Sequence, residues 1–382
     1  MSIPPRGSVL HRHAALLITL GILLAACLFH TWIVYEPEGY LIGDSPYYAQ
    51  TAISLAVDGD LDLANNLRGG ASPHARQVSL GARGEWYPKH PILMPILSLP
   101  LLPLFGMKAF LIMNVAVLLA LGWAVFALCR LTATPQAALA ATLGSFLGSY
   151  LILYGYNYSP DLLSCLFLAA AVLAAVTGRS TLAGLLAGLT VFTSTSRLVL
   201  LPLFAVWVLW RHRWRGAALF VAGCAAPLLV QAGLNWWMFG SPLLSPYMRI
   251  LDEHAGQIYI RSHMSDFTNP LWDGVVGQLL DPRKGLLFTA PVLLASALGL
   301  PLWFRKRPDL LVLCVGLSEF QFLFFATYRL WPTSHVGNRF LMPVVALSAP
   351  GLACLADWLL ARARAALPQP AGAGLPGSGS GA

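Results

Sequence analysis

The chain has 382 residues, of which 57% are hydrophobic and only 10% charged, with a mean hydropathy of +0.67 and a formal net charge of +8. That balance excludes an ordinary water-soluble domain and places most of the chain in an apolar solvent. The basic excess is not a nucleic-acid footprint, because no basic, aromatic-interleaved soluble segment carries it.

A span needs about 20 predominantly apolar residues. Runs of that kind, bounded by charge or turn residues, occur at 14–34, 108–130, 136–154, 160–177, 182–196, 198–210, 216–238, 286–304, 309–328 and 339–361. The sequence therefore predicts an all-α membrane protein with about ten transmembrane helices. The pair 182–196 and 198–210 is short, and 91–105, with Pro91, Pro95, Pro100 and Pro103, predicts a re-entrant or interfacial hairpin. The N-terminal apolar run is long and lacks a small-x-small cleavage site, so it reads as the first span.

Short loops that hold Lys and Arg are retained in the cytoplasm. With the N-terminus inside, the inner turns carry Arg6, Arg12, Arg130, Arg179, Arg211, Arg213, Arg215, Arg305, Lys306, Arg307, Arg362 and Arg364 against Asp309 and Asp357. The reading is a multi-pass protein of the bacterial inner membrane with both termini cytoplasmic. Residues 1–366 form the membrane domain, and the Pro/Gly/Ser/Ala tail 367–382 reads as disordered.

Two outer segments exceed simple turns: 35–90 and 239–285. The first contains Asp44-Ser45-Pro46 followed by Tyr48, Ala52, Leu55 and Ala56 at helical spacing, and it ends at Asp58-Gly59-Asp60. This predicts an amphipathic helix at the membrane surface, with Asp44 in a capping position. Cys27, Cys129, Cys165, Cys224, Cys314 and Cys354 lie singly in apolar runs and read as core residues. The histidines show no zinc-ligand spacing. Asp58, Asp60 and Asp62 imitate an Asp-x-Asp metal motif but read as a solvated helix end. Glu319, mid-span, predicts a buried pair or a pathway.

Several stretches resemble, in order, the outer-face motifs of GT-C glycosyltransferases. These are polytopic enzymes that take sugars from polyprenyl-phosphate carriers, among them protein O-mannosyltransferases and the aminoarabinose transferases of lipid A. The stretches are Gly43-Asp44-Ser45-Pro46-Tyr47-Tyr48, Trp86-Tyr87-Pro88-Lys89-His90-Pro91, Tyr158-Ser159-Pro160-Asp161, Thr195-Ser196-Arg197, Asp281-Pro282-Arg283-Lys284-Gly285 and Gly337-Asn338-Arg339-Phe340. The resemblance implies a GT-C-like bundle with a helical first periplasmic loop and an active site facing the periplasm. It implies Asp44 as the catalytic base and Lys89 as a ligand of the carrier phosphate. His90 intervenes before Pro91 in the Lys-Pro-type motif, and Ser45 replaces an expected second carboxylate, a part Asp161 could take.

Arg197, between two short apolar stretches, predicts a cavity-facing charge. Arg339 and Asp161 are candidate donor or sugar ligands, and Tyr48 a substrate contact. The partners implied are a polyprenyl-phosphate sugar and a lipid, glycan or protein acceptor, within membrane lipid; no cofactor beyond the donor is required. The competing class is a transporter or flippase of lipid-linked sugars, which predicts an internal repeat that the sequence lacks. A catalytically silent envelope protein of the same fold is the other alternative.

Overall fold

A chain with this little charge satisfies its backbone internally, and in lipid that leaves helices as the means of crossing. The computed structural model describes residues 6–34, 41, 43–68, 77–254, 257–333 and 336–366. The expected tail 367–382, together with Tyr40, Ile42 and His335, lies outside them.

The first helix, α1 (Arg6–Val34), leads to an outer layer made of α2 (Ser45–Val57), α3 (Ala64–Arg68), β1 (Val78–Leu80) and β2 (Trp86–Pro88). Two short helices follow, α4 (Leu93–Ser98) and α5 (Leu102–Phe105), and then α6 (Lys108–Arg130), α7 (Pro135–Leu147), α8 (Pro160–Val176), α9 (Ser180–Thr193) and α10 (Leu201–Phe239). The second outer segment contributes β3 (Ile250–His254), β4 (Gln257–Arg261) and α11 (Leu271–Leu280). The chain ends in α12 (Leu286–Thr289), α13 (Val292–Leu298), α14 (Leu300–Lys306), α15 (Pro308–Ala326) and α16 (Met342–Ala366).

Every apolar run read from the sequence is mainly helical, and among the described residues five helical stretches are both long and apolar enough to cross a membrane. These are His13–Thr31, Lys108–Arg130, Thr195–Phe239, Pro308–Ala326 and Arg339–Ala366. The others are cut short or broken for local reasons. The run 286–304 is three helices, interrupted at Pro291 and before Pro301, because proline lacks the amide a helix interior needs. The run 136–154 is α7 followed by a 3-10 turn at Tyr150–Gly155. Within α10 the backbone breaks at Arg213 (φ 61°, ψ −174°), which divides 198–210 from 216–238 as the charges there predict.

α9 and α10 pack with backbones close together. A Cβ on Gly184 would lie 1.9 Å from the Phe220 carbonyl oxygen, and one on Gly188 2.9 Å from that of Cys224. Small residues are what allow helices to approach in lipid, where dispersion packing replaces the hydrophobic drive. The six cysteines are free and buried, and a continuous core joins α1, α6, α7, α8 and α16.

One expectation about the outer face is corrected, and one element is added to the helical bundle that the sequence predicts. First, α2 is not a surface helix: Tyr47, Tyr48, Ala49, Thr51, Ala52 and Ser54 are buried, and only its end, Ala56 and Val57, is exposed. Tyr48, Ala49 and Ala52 join the main core, while Tyr47 packs with Val78 and Leu251 beneath the sheet. Second, a small sheet joins the helices. An antiparallel sheet of order β2-β1-β3-β4 ties the two long outer segments together, with Val78 opposite Pro88 and Ser79 opposite Ile250. Inside the bundle, Glu319 is exposed on the outer side of α15 and not in a buried pair.

Gly184→Val is expected to destabilise the bundle by about 1–3 kcal/mol or more, the cost of overpacking a closed interface. Denaturation of the purified protein in mixed micelles checks this, with Gly233→Val, where a Cβ meets nothing within 4 Å, as the neutral comparison.

Candidate active site

Asp44 follows Gly43, whose positive φ of 64° suits glycine, and precedes Pro46 in the first turn of α2. Its carbonyl accepts from Tyr47 N–H at 3.1 Å, but its side chain makes no capping hydrogen bond. The carboxylate turns elsewhere. Oδ2 lies 2.8 Å from Arg339 Nη1, and Oδ1 accepts from Gln77 Nε2 at 3.3 Å.

Arg339 reaches this point because the segment before it is pinned. Tyr150 and Tyr154 donate from their hydroxyls to the carbonyls of Asn338 and Val336, both at 2.8 Å, and the Asn338 amide donates to Gln278. A Cβ on Gly337 would strike the Tyr150 ring at 2.5 Å, so only glycine fits beneath it. The guanidinium also faces Asp161, with Nε 3.7 Å from Oδ2. Asp161 is the second residue of α8, held by Ser159, whose hydroxyl donates to its carboxylate at 2.9 Å. One cation thus stands between two carboxylates from different helices.

Ser45 donates to Asn157 Oδ1 at 2.5 Å, so it links the start of α2 to the loop before α8 instead of supplying charge. The second carboxylate around Arg339 is Asp161.

Lys89 and His90 leave β2 between Pro88 and Pro91, and the β1–β2 register continues with Lys89 N–H on the Gln77 carbonyl at 3.4 Å. Lys89 is only 6% exposed, yet its ammonium has no hydrogen-bond partner among the described residues. Burial pulls its pKa down to about 8, partly offset by Asp44 and Asp252. His90 is buried against Tyr48 (ring centroids 4.7 Å), and burial keeps it neutral, its pKa well below the usual value.

Burial alone would raise the Asp44 carboxyl. The charges of His90, Arg339 and Lys89 and the hydrogen bond from Arg339 outweigh it and hold the group far below the carboxylate range. Because His90 is neutral near pH 7, Arg339 and Lys89 are the standing charges.

Arg197 sits apart from this cluster. It is 2% exposed, on a 3-10 turn at Thr195–Leu200, with Nε on the Ser164 hydroxyl at 3.1 Å and Nη1 without a hydrogen-bond partner. Ser164 is one turn along α8 from Asp161, whose charge Arg197 feels from the bundle side. The structure therefore gathers Asp44, Lys89, His90, Tyr48, Asp161 and Arg339, with Arg197 behind Asp161 and without contact to Asp44.

A second tier, absent from the sequence motifs, comes from 239–285. The Tyr247 hydroxyl lies 3.4 Å from His90 Nδ1, and its ring meets His263 edge-on at 5.6 Å. Fully buried Asp266 binds Arg261 and Arg329 (2.8 Å) and lies 3.1 Å from His263. These residues carry no motif, and only the length of the loop singled out the segment.

Asp58, Asp60 and Asp62 are used in loop geometry: Asp60 accepts from Asp62 N–H and Ser54, and Asp62 accepts from Ala64 and Trp86 N–H. No three His, Cys, Asp or Glu side chains gather as metal ligands among the described residues.

No family model and no curated protein matches the chain. Solved structures do. The chain superposes on ArnT from Cupriavidus metallidurans bound to undecaprenyl phosphate at TM-score 0.51 and 13% identity, covering 94% of this chain and 61% of that one. It superposes on the archaeal oligosaccharyltransferase AglB from Archaeoglobus fulgidus, in complex with an inhibitory peptide and a dolichol-phosphate, at TM-score 0.60 and 13% identity, covering 93% and 51%. The chain has the GT-C fold. It spans roughly half to three-fifths of those proteins' length, and at this identity the likeness concerns fold alone. Within the GT-C fold seen here, the site occupies the junction of the outer sheet with the helix bundle, where α2, α8 and the approach to α16 begin.

Anion affinity is expected to fall as pH rises through about 8, since the Lys89 cation is lost there; below that pH it is retained. Titrating sulfate binding to the protein in nanodiscs from pH 6 to 9.5 checks this, because sulfate keeps its charge over that range. Lys89→Met is expected to remove the pH dependence and weaken binding about tenfold or more, and Lys89→Arg to restore binding without the alkaline loss.

Proposed function

We propose that the chain is an inverting glycosyltransferase that moves a sugar from a polyprenyl-phosphate carrier to a lipid, glycan or protein acceptor at the outer face of the inner membrane. The observation that carries this reading is the Lys89 side chain, only 6% exposed beside Asp44 and Arg339, whose ammonium has no hydrogen-bond partner among the described residues. A buried cation without a partner is costly, and an anionic ligand repays it. A lipid phosphate is the anion that arrives at the membrane boundary, and solved structures of this fold hold undecaprenyl phosphate in ArnT and a dolichol-phosphate in AglB.

In this reading the carrier phosphate docks on Lys89 and Arg339, with Arg197 adding positive potential from behind Asp161. Tyr48 and Tyr247 line the approach. Asp44 accepts the acceptor's proton while its oxygen or nitrogen attacks the anomeric carbon. The bond from that carbon to the phosphate oxygen breaks, its electron pair stays on the phosphate, and configuration inverts. The phosphate also competes with Asp44 for Arg339. Asp44, too weak a base while the guanidinium holds it, gains basicity when donor is present.

No metal is assigned. The two carboxylates that would hold one, Asp44 and Asp161, already face the Arg339 guanidinium, which supplies the positive charge between them.

Asp44→Asn is expected to lower transfer from undecaprenyl-phosphate sugars by at least about 10²-fold, with membrane insertion and undecaprenyl phosphate binding intact. Chelation with EDTA is expected to leave wild-type transfer within twofold. Transfer surviving in Asp44→Asn would remove the base, and transfer lost to EDTA and restored by a divalent cation would overturn the role of Arg339 as the resident cation.

A further inference from the structure

The Asp44 carboxylate is held at both oxygens, and only one holder is a charge. Oδ2 meets Arg339 at 2.8 Å, whereas Oδ1 meets Gln77 Nε2 at 3.3 Å. Gln77 Oε1 lies 2.8 Å from His90 Nε2, and His90 Nδ1 lies 3.4 Å from the Tyr247 hydroxyl. None of these contacts is sequence-local: 33 residues separate Gln77 from Asp44 and 157 separate Tyr247 from His90.

The directions of the hydrogen bonds follow from chemistry. An ionised carboxylate only accepts, so Gln77 must present its NH2 group to Asp44 and its carbonyl to His90. That carbonyl can only accept, which places the His90 proton on Nε2. Nδ1 then carries a lone pair, and the Tyr247 O–H donates to it. Neutral His90 is required at each step, and its burial, 7% exposed against the Tyr48 ring, keeps it so.

The backbone fixes the two ends of the central link. Gln77 immediately precedes β1 and lies opposite Lys89, so its side chain and that of His90 meet at the end of the β1–β2 pair. Tyr247 stands on the 3-10 turn just before β3, which pairs with β1.

We propose that Tyr247, His90 and Gln77 form a directed hydrogen-bond chain that positions the Asp44 carboxylate, so that both outer segments set the aim of the base. The inference rests on the reading of Asp44 as the acceptor-facing base. Gln77 and Tyr247 are positioning residues: they act through Asp44. The chain leaves Oδ1 oriented when the donor phosphate draws Arg339 away from Oδ2. Without it, a released carboxylate would rotate freely, and proton transfer would lose the geometry on which its rate depends.

Two readouts on the full chain in nanodiscs test the proposal. The first is 15N NMR of protein labelled at histidine, with the His90 signals identified by their loss in His90→Gln. The wild type is expected to show neutral His90 protonated at Nε2, and Gln77→Ala to distribute the proton over both nitrogens. The second is transfer from undecaprenyl-phosphate pentose and hexose donors. Gln77→Ala and Tyr247→Phe are expected to lower kcat about tenfold and threefold with the donor KM within twofold, whereas Gln77→Glu, adding a like charge beside Asp44, restores nothing.

His90 protonated at Nδ1 in the wild type, or kcat unchanged in both Gln77→Ala and Tyr247→Phe, overturns the proposal. Asp44→Asn separates the two claims. Transfer surviving in that variant removes the base assignment whatever the tautomer of His90, while transfer lost there but full in Gln77→Ala removes the positioning chain alone.

Discussion

The Arg339 guanidinium between Asp44 and Asp161 is the contact on which the rest of the site depends. Each partner sits at the start of a helix: Asp44 before α2, Asp161 in the first turn of α8, and Arg339 on the turn entering α16. A partly buried ion pair gives little net stability, because desolvation offsets much of its Coulomb energy, but it penalises any arrangement that separates its members. It therefore specifies how three helices meet at the outer boundary. The aromatic hydroxyls on the Asn338 and Val336 carbonyls, and the glycine beneath Tyr150, serve the same end by fixing where Arg339 starts.

The outer sheet supplies what the helices cannot. Lys89 is only 6% exposed, and a flexible loop would let it escape to water, since long cationic side chains snorkel readily. Pairing β2 against β1, with β1 in turn against β3, holds the backbone of Lys89 in place from both outer segments. Proline on either side of the Lys-His pair stops the strand from sliding further. The same sheet carries Gln77 and Tyr247 to the far side of His90, so one small element holds Lys89 and, on the proposed reading, braces Asp44.

Much of this was legible in the sequence, and the failures have physical causes. The apolar runs gave the helices because lipid allows few alternatives, and each run named is mainly helical. The motif residues Asp44, Lys89, His90, Asp161, Arg339 and Tyr48 converge. The sheet was not visible: its first two strands are three residues each, too short for an alternating pattern to declare itself, and Ser79 pairs with Ile250, far along the chain. α2 looks like a surface helix in the sequence because its cover comes from α4, the main core and β2, none of which its own periodicity reveals. Gln77, Tyr247 and His263 were missed for the same reason. A lone Gln or Tyr in a loop has no local signature, and its part is written only in tertiary contacts. Glu319 was misread since sequence gives depth along a helix but not which side of it faces the bundle.

Formal charge ties Arg197 to the site although it touches neither Asp44 nor Lys89. Asp44 and Asp161 bring two negative charges; Arg339, Lys89 and Arg197 bring three positive ones, while Asp252 and Asp266 offset Arg261 and Arg329 in the outer tier. The inner cluster alone thus carries one uncompensated positive charge, which a phosphodiester donor would neutralise on the proposed reading. On the proposed reading the balance then survives the reaction. Asp44 loses its charge by taking the acceptor's proton, and the phosphate, freed from the sugar, gains one as a monoester. The inner cluster stays neutral on both sides of the step, so little electrostatic energy is spent among groups that are largely withdrawn from water. Without Arg197 the donor complex would hold a net negative charge in the boundary, which explains why a fully buried arginine with an unsatisfied nitrogen stands one turn behind Asp161.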